Sequence, residues 1–282
     1  MSYKGPRDET FKALLDNILK TGDVSKKHRD EILNKDGLDY YSLAFTHATF
    51  DPQNNYEFLE TLGDITLSKC VIWYISKKFP QINVPDGKDI LTRLKNKIIQ
   101  SKSYADFAES LGFWPFISTN MNRKSSYLRK KTLEDVLESF FAVTELLLDK
   151  TYQVGVGYPV CYKILSKLLD NTGDFIRIDY NHLADKKTRV KEIFDFYNSR
   201  GIGKLDYEKN GTTVLGEDDV IYKVRAKHTF PNGKYRYIAM GEGDGVDFSI
   251  AEQDAAEKVL EVLEKEGYTK TIPQAYVRFC AV

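Results

Sequence analysis

Nine consecutive residues do most to limit what this chain can become: Tyr56-Glu57-Phe58-Leu59-Glu60-Thr61-Leu62-Gly63-Asp64. They open a long apolar-periodic stretch, Tyr56–Lys78, that Pro80 stops, which predicts a helix. On that helix Glu57 and Glu60 are i,i+3 and Glu60 and Asp64 are i,i+4, so three carboxylates share one side. Leu59 and Leu62 lie beside the row and place it near the core edge. Stacked like charges repel by a few tenths of a kcal/mol per pair, and no lysine intervenes before Lys69. Gly63 adds a helix-propensity cost of about 1 kcal/mol relative to Ala. Two local penalties at one place point to a functional requirement.

A second acidic pair sits in Leu133-Glu134-Asp135-Val136-Leu137-Glu138-Ser139-Phe140-Phe141. Asp135 and Glu138 are again i,i+3, between apolar residues that must face inward. Were the two helices to pack side by side, their carboxylates would converge into a set of hard oxygen donors, which suits Mg²⁺ or Mn²⁺ and, with them, phosphate substrates. Either string alone is more often a solvated helix face. On the residues alone both explanations stay open.

The rest of the chain frames these strings. From Thr10 to Leu169 it reads as a succession of helices, including Thr10–Leu19, Tyr40–Phe45, Ile90–Ile99, Ser103–Leu111, Leu133–Leu148 and Tyr158–Leu169, with no alternating stretch between. Arg123, Lys124, Arg129, Lys130 and Lys131 form the densest basic cluster, read as a loop before a helix. Asn171–Asp185 is polar and aperiodic, a linker. Beyond it come a helix (Lys187–Tyr197), three strands (Lys204–Glu208, Val220–His228 and Tyr235–Glu242, the last two joined by Pro231-Asn232-Gly233) and a helix (Ala251–Leu263). The expected architecture is an all-α domain over 1–170, a linker over 171–184 and a small α+β (α-β-β-β-α) domain over 185–266, with both helices on one face of an antiparallel sheet. The tail, 267–282, carries no pattern. Gly241-x-Gly243-x-Gly245 reads as a turn, His47 as a core or capping histidine, and Cys70 as buried.

Forty-one basic and 41 acidic residues cancel, which excludes a polycationic tail and restricts nucleic-acid contact to local patches. Three cysteines without a CxxC exclude a disulfide scaffold or zinc ribbon and fit a reducing compartment. No apolar run approaches the ~20 residues of a membrane span. A charged start, MSYKGPRDET, is unlike a signal peptide, so an intracellular protein, cytoplasmic or nuclear, is expected.

Glu57-x-x-Glu60-x-Leu62-Gly63-Asp64 resembles the signature helix of the ribonuclease III family, and Asp135-x-x-Glu138 its second metal-binding pair. Ala44-Phe45-Thr46-His47, Leu91-Thr92-Arg93-Leu94-Lys95 and Ala108-Glu109-Ser110-Leu111-Gly112 match as well. The C-terminal segment is similar to the family's double-stranded-RNA-binding domain, with Ala251-Glu252-x-x-Ala255-Ala256 in its last helix. The resemblance covers residues 10–265. It implies a Mg²⁺-dependent endonuclease for double-stranded RNA, with Mn²⁺ able to substitute. Glu60, Asp64, Asp135 and Glu138 would hold two ions, and Glu57 would stand at the edge of the cluster. Its implied products carry 5′ phosphates and short 3′ overhangs, cut by a dimer. RNA processing and suppression of RNA silencing are both roles it leaves open. The rival expectation is a non-catalytic RNA- or ribosome-associated protein of the same folds; such relatives typically lose the acids that here all stand in place.

Two departures matter. Thr61 replaces the family's large apolar dimer residue and Phe58 a common Arg, so a homodimer would pack differently and a heterodimer is conceivable. Where the family's last helix opens on lysines, this chain has Asp247, Phe248 and Ser249, and between Asp185 and Lys265 it has 14 basic against 16 acidic residues. Affinity for RNA falls with every phosphate that no cation neutralises. Lys186, Lys187, Lys191, Glu192 and His228 are the remaining RNA-binding candidates, with a solvated helix start as the equal alternative for the lysines.

Overall fold

The computed structural model describes residues 2–99, 101–171, 176–214, 220–244, 248–272 and 274–280. The chain divides into two compact units, Met1–Arg177 and Ile178–Val282.

The first unit is helical: α1 (Glu9–Thr21), α2 (Lys26–Ile32), α3 (Lys35–Ala44), α4 (Glu57–Lys78), α5 (Lys88–Ile99), α6 (Ser101–Ser110), α7 (Ser126–Thr151) and α8 (Gly157–Asp170). Side-chain caps from Asp8, Ser25, Asn34 and Ser125 each accept a backbone N–H at the start of α1, α2, α3 and α7. Helix α7 is buried on nearly every side from Thr132 to Thr144, the pattern of a central helix and not of an amphipathic surface one. Helices α3, α4, α6 and α8 pack around it. Phe140 and Phe141 join it to an aromatic core with Tyr41, Phe45, Phe113 and Phe11, neighbouring ring centroids lying 4.8–5.6 Å apart. Each fully buried ring contributes about 1.5–3 kcal/mol.

Helix α4 crosses α7 at Gly63, where a Cβ would overlap the backbone carbonyl of Glu138. The propensity cost of that glycine therefore has a local cause: two backbones touch, and no side chain fits between them. Arg129, Lys130 and Lys131 lie within α7, which starts at Ser126, so the expected basic loop ends earlier than the sequence suggests.

The second unit holds α9 (Tyr180–Leu183), α10 (Lys186–Tyr197), β1 (Lys204–Val214), β2 (Val220–Thr229), β3 (Tyr235–Asp244), α11 (Phe248–Lys265) and α12 (Gln274–Cys280). The strands form an antiparallel sheet in the order β1-β2-β3. Val190, Ile193 and Phe194 of α10 and Ala251, Ala255, Ala256, Val259 and Leu263 of α11 share one core with Val224 and Ala226 of β2, so both helices cover the same face.

Three expectations change here. Gly241 and Gly243 belong to β3, not a turn; a Cβ at either would overlap the backbone of α11 at Ala251, so they admit that helix against the sheet. Gly245 lies outside the described residues. The stretch read as linker contains α9 and the buried side chains of Tyr180, Leu183 and Ala184. Within the tail, α12 buries Tyr276 and Phe279, and Tyr276 meets Tyr180 edge to face at 5.1 Å. Among the described residues no helix is long and apolar enough to cross a membrane.

Candidate functional site

The α4–α7 crossing brings the two acidic strings together. Glu60, Asp135 and Glu138 each offer a carboxylate oxygen within 4.8 Å of the others. Asp135 and Glu138 are both only 6% exposed, and Glu60 is half-buried. Glu57 and Asp64 are exposed and stand outside this tight trio, Glu57 in the first turn of α4 and Asp64 one turn past Glu60. Asp64 still bears on the site: burial comes first, and the charges of Glu134, Asp64, Asp135 and Glu60 follow, in pushing the Glu138 carboxyl up to about 9.

Glu134, which the motif does not include, belongs to the same field. Burial first, and then Asp135, Glu60 and Asp64, carry it up to about 7 against the opposing pull of Lys131. Burial also raises Asp135 and Glu60. Carboxylates this crowded resist sharing full charge without a cation.

One cation is already built in. Lys131 sits one turn before Asp135 on α7, its Nζ 2.7 Å from Asp135 Oδ1, 3.7 Å from Glu60 and 3.9 Å from Glu134. Among the described residues the buried Oδ1 of Asp135 has no other partner, while Oδ2 accepts a hydrogen bond from the Tyr56 hydroxyl at 3.1 Å. The relief that the sequence lacks along α4 therefore comes from α7. Spacing carries the signal, since Lys131 and Asp135 are i,i+4, but its assignment to a loop hides it. His47 stays outside the trio: its Nδ1 accepts from the Thr49 backbone N–H at 2.9 Å and its ring meets Tyr56 edge-on, which is a capping arrangement. An all-oxygen donor set of this kind, with a buried carboxylate oxygen held by a lone ammonium, fits a hard divalent ion.

The RNA-binding candidates of the second unit fare unevenly. His228 is 1% exposed, its Nε2 on the Ile202 carbonyl at 2.6 Å and its ring against Phe194 and Phe230. A buried, hydrogen-bonded ring offers nothing to a groove, and the expectation of RNA binding there is withdrawn. Lys186 pairs with Glu257 at 2.7 Å and Lys187 with Glu252, both acids on α11. Glu192 accepts from the Tyr180 hydroxyl and pairs with Lys270 at 3.3 Å. Lys191 is exposed on α10. At the opening of α11, Phe248 packs edge-on against Tyr222, with the Lys209 ammonium 4.3 Å from its ring centre. Asp247 lies outside the described residues.

A family model of the ribonuclease III domain matches residues 57–148, which span both acidic strings. The chain is 33% identical over 294 residues to a protein of Invertebrate iridescent virus 6 described as a ribonuclease 3, covering 98% of this chain and 95% of that one. It is 27% identical over 245 residues to ribonuclease 3 of Francisella tularensis, covering 84% and 94%. Among solved structures it is similar to the nuclease domain of ribonuclease III from Campylobacter jejuni, with 22% identity, a TM-score of 0.42, and 57% of this chain and 99% of that one covered. With the acidic crossing in place and near-full-length similarity to the iridescent virus protein, the chain belongs to the ribonuclease III family.

Proposed function

We propose that the protein is a divalent-metal-dependent endoribonuclease that cuts double-stranded RNA inside the cell. The observation that carries this is the convergence of Glu60, Asp135 and Glu138 within 4.8 Å at a glycine-tight helix crossing. Glu60, Asp64, Asp135 and Glu138 would hold Mg²⁺, or Mn²⁺ in its place. When bound there, the metal supplies Lewis acidity toward a water and a phosphodiester, the two-ion scheme of in-line hydrolysis.

The chain's own groups do the rest. Burial and its acidic neighbours favour the protonated form of Glu138; a cation held there would favour the carboxylate, so metal binding would be coupled to loss of that proton. Tyr56 keeps Asp135 in a single orientation by donating to its Oδ2. Lys131, whose ammonium rests on Asp135, would be available to a phosphate oxygen at the rim of the site were a metal ion held there in its place. Glu57, exposed at the first turn of α4, would stand at the edge of the cluster and contact a water or an RNA hydroxyl.

The family's paired cuts, with 5′ phosphates and short 3′ overhangs, need two centres. Phe58, Ile65 and Ile72 recur every seventh residue along α4; Phe58 is 71% and Ile65 62% exposed, and Trp73 adds to the same apolar surface. We assign this seam to a homodimer, with Phe58 taking the anchoring part that Thr61 is too small to play. The second unit acts as a double-stranded-RNA-binding-like domain of weak affinity, through Lys186, Lys187, Lys191 and Glu192 on α10, because acids of its own chain compete for those lysines.

Cleavage of a long labelled RNA duplex, with Mg²⁺ and with EDTA, beside Glu138→Gln, tests the proposal. Metal-dependent products with short 3′ overhangs, absent in the variant while duplex binding persists, are expected. Binding without cleavage in either Mg²⁺ or Mn²⁺ would overturn it in favour of a structural RNA-associated role.

A further inference from the structure

Helix α6 packs along α7, the helix that carries Asp135 and Glu138, and it buries a tyrosine there. Tyr104 is 0% exposed, among the largest fully buried side chains of the protein. Ala105, Phe107 and Ala108 beside it are buried too and make an ordinary apolar packing surface. Tyr104 differs from them in one atom: its hydroxyl oxygen is buried and has no hydrogen-bond partner among the described residues. A phenylalanine would fill the same space without that oxygen. Leaving a hydroxyl buried and unpaired forfeits its hydration without return, so the group needs a reason to be there.

The surroundings supply one. The charges that bear most on the Tyr104 hydroxyl are those of Glu138 and then Asp64, with Glu134 further down the order. Glu138 and Glu134 belong to the acidic cluster, and Asp64 stands at its exposed edge. Burial and those charges also raise the phenol well above its ordinary pKa, so the oxygen keeps its proton at any working pH and can only donate to a carboxylate. A buried hydroxyl without a protein partner among the described residues, near enough to carboxylates to feel their charge, is a group that one ordered water can bridge to them.

We propose that Tyr104 is a positioning residue of the metal centre: through one ordered water its buried hydroxyl donates toward Glu138 and fixes that carboxylate's orientation from α6. This rests on the metal-centre assignment above. Nothing in the acidic motifs themselves points to it, because the residue sits on a different helix in a position that reads as plain core. Its role is that of an outer partner that orients a ligand, a class of group whose removal weakens metal binding by roughly 10–100-fold.

The test is Tyr104→Phe, which removes the oxygen and leaves the ring. Mn²⁺ binding by titration calorimetry and thermal melting in EDTA are measured on the full chain, with duplex cleavage alongside. We expect the metal-free melting temperature to stay level or rise, because the unpaired hydroxyl is gone. The Mn²⁺ dissociation constant should weaken by about 10-fold, the low end for an interaction made through water. The cleavage kcat should fall with the KM for RNA unchanged. A variant that binds Mn²⁺ like wild type overturns the inference and leaves the metal centre intact. A variant that loses metal affinity only together with a lower metal-free melting temperature makes Tyr104 a packing residue and also overturns it. Failure of the wild-type chain itself to bind Mn²⁺ removes the underlying assignment, and the inference with it.

Discussion

Replacing Lys131 by Met asks whether the acidic cluster depends on a cation supplied by the protein. The ammonium lies 2.7 Å from Asp135, 3.7 Å from Glu60 and 3.9 Å from Glu134. Two unit charges 4 Å apart interact by roughly 4 kcal/mol at an effective dielectric constant near 20. The Lys131 side chain is 51% exposed, however, and exposed pairs deliver only about 0.2–1 kcal/mol once solvent screening is included. Asp135 is buried and answers the change by taking up a proton, which trims the penalty further. Together these place the cost at about 0.5–1 kcal/mol in the metal-free protein. Methionine keeps the apolar stem, so little of this comes from packing. For the 177 residues of the first unit, 1 kcal/mol corresponds to about 2–4 °C of melting temperature. Calorimetric melts in EDTA should therefore show Lys131→Met lower by about 1–4 °C. In saturating Mg²⁺ the gap should narrow, because the metal takes over the ammonium's position. The Mn²⁺ dissociation constant should tighten, since binding no longer displaces a resident cation. A variant that melts with wild type in EDTA, or a gap of equal size with and without Mg²⁺, would refute the idea that Lys131 occupies the cation's place.

Other perturbations probe the same construction. Gly63→Ala forces a Cβ into the Glu138 carbonyl; we expect destabilisation by about 1–3 kcal/mol in denaturant titrations and failure to bind metal, whereas wild-type stability would show that the helices can separate freely. Glu134 and Glu138 have folded-state values near 7 and 9, above their unfolded value of about 4.5. Their contribution is complete below pH 4.5 and is lost as the pH rises through 7 to 9, so metal-free melting temperatures should fall across that window and Mn²⁺ binding should strengthen; a flat profile contradicts the shifts. Charging the α4 seam with Phe58→Glu and Ile65→Glu should convert a dimer to a monomer in light scattering while leaving metal affinity unchanged, and a monomeric wild type would dismiss the seam.

Both acidic strings are readable because helical spacing is a local property: i,i+3 and i,i+4 put carboxylates on one side whatever surrounds them. Gly63 is readable for the same reason, as a cost without local recompense, and its cause, the Glu138 carbonyl, appears only once α7 is in place. Lys131 escapes notice because apolar periodicity begins at Leu133, whereas the helix itself starts at Ser126 under the Ser125 cap. Glu134 escapes because it adjoins Asp135, and neighbours on a helix point in different directions; a cluster that draws on successive turns of α7 and on α4 is wider than either motif. For His228 the signal is present in the sequence and points the other way from an RNA role. It shares the parity of Val224 and Ala226 on β2, and strand alternation sends all three to the core face. The packing of α9 and α12 is beyond local patterns, because Tyr180 and Tyr276 meet across the length of the second unit's sequence.

The burial of α7 has a dynamic consequence. Asp135 and Glu138 lie inside its enclosed run, Thr132–Thr144, so their amide protons should exchange with solvent only when the entire unit opens. Glu57 is exposed in the first turn of α4, but Tyr56 and Leu59 beside it are buried and Asn55 Oδ1 accepts its backbone N–H, so this helix end is pinned as well. The acidic centre is thus anchored from both helices: only side chains at its rim, such as the exposed Glu57, are free to reorient, while the backbone that carries the carboxylates holds still.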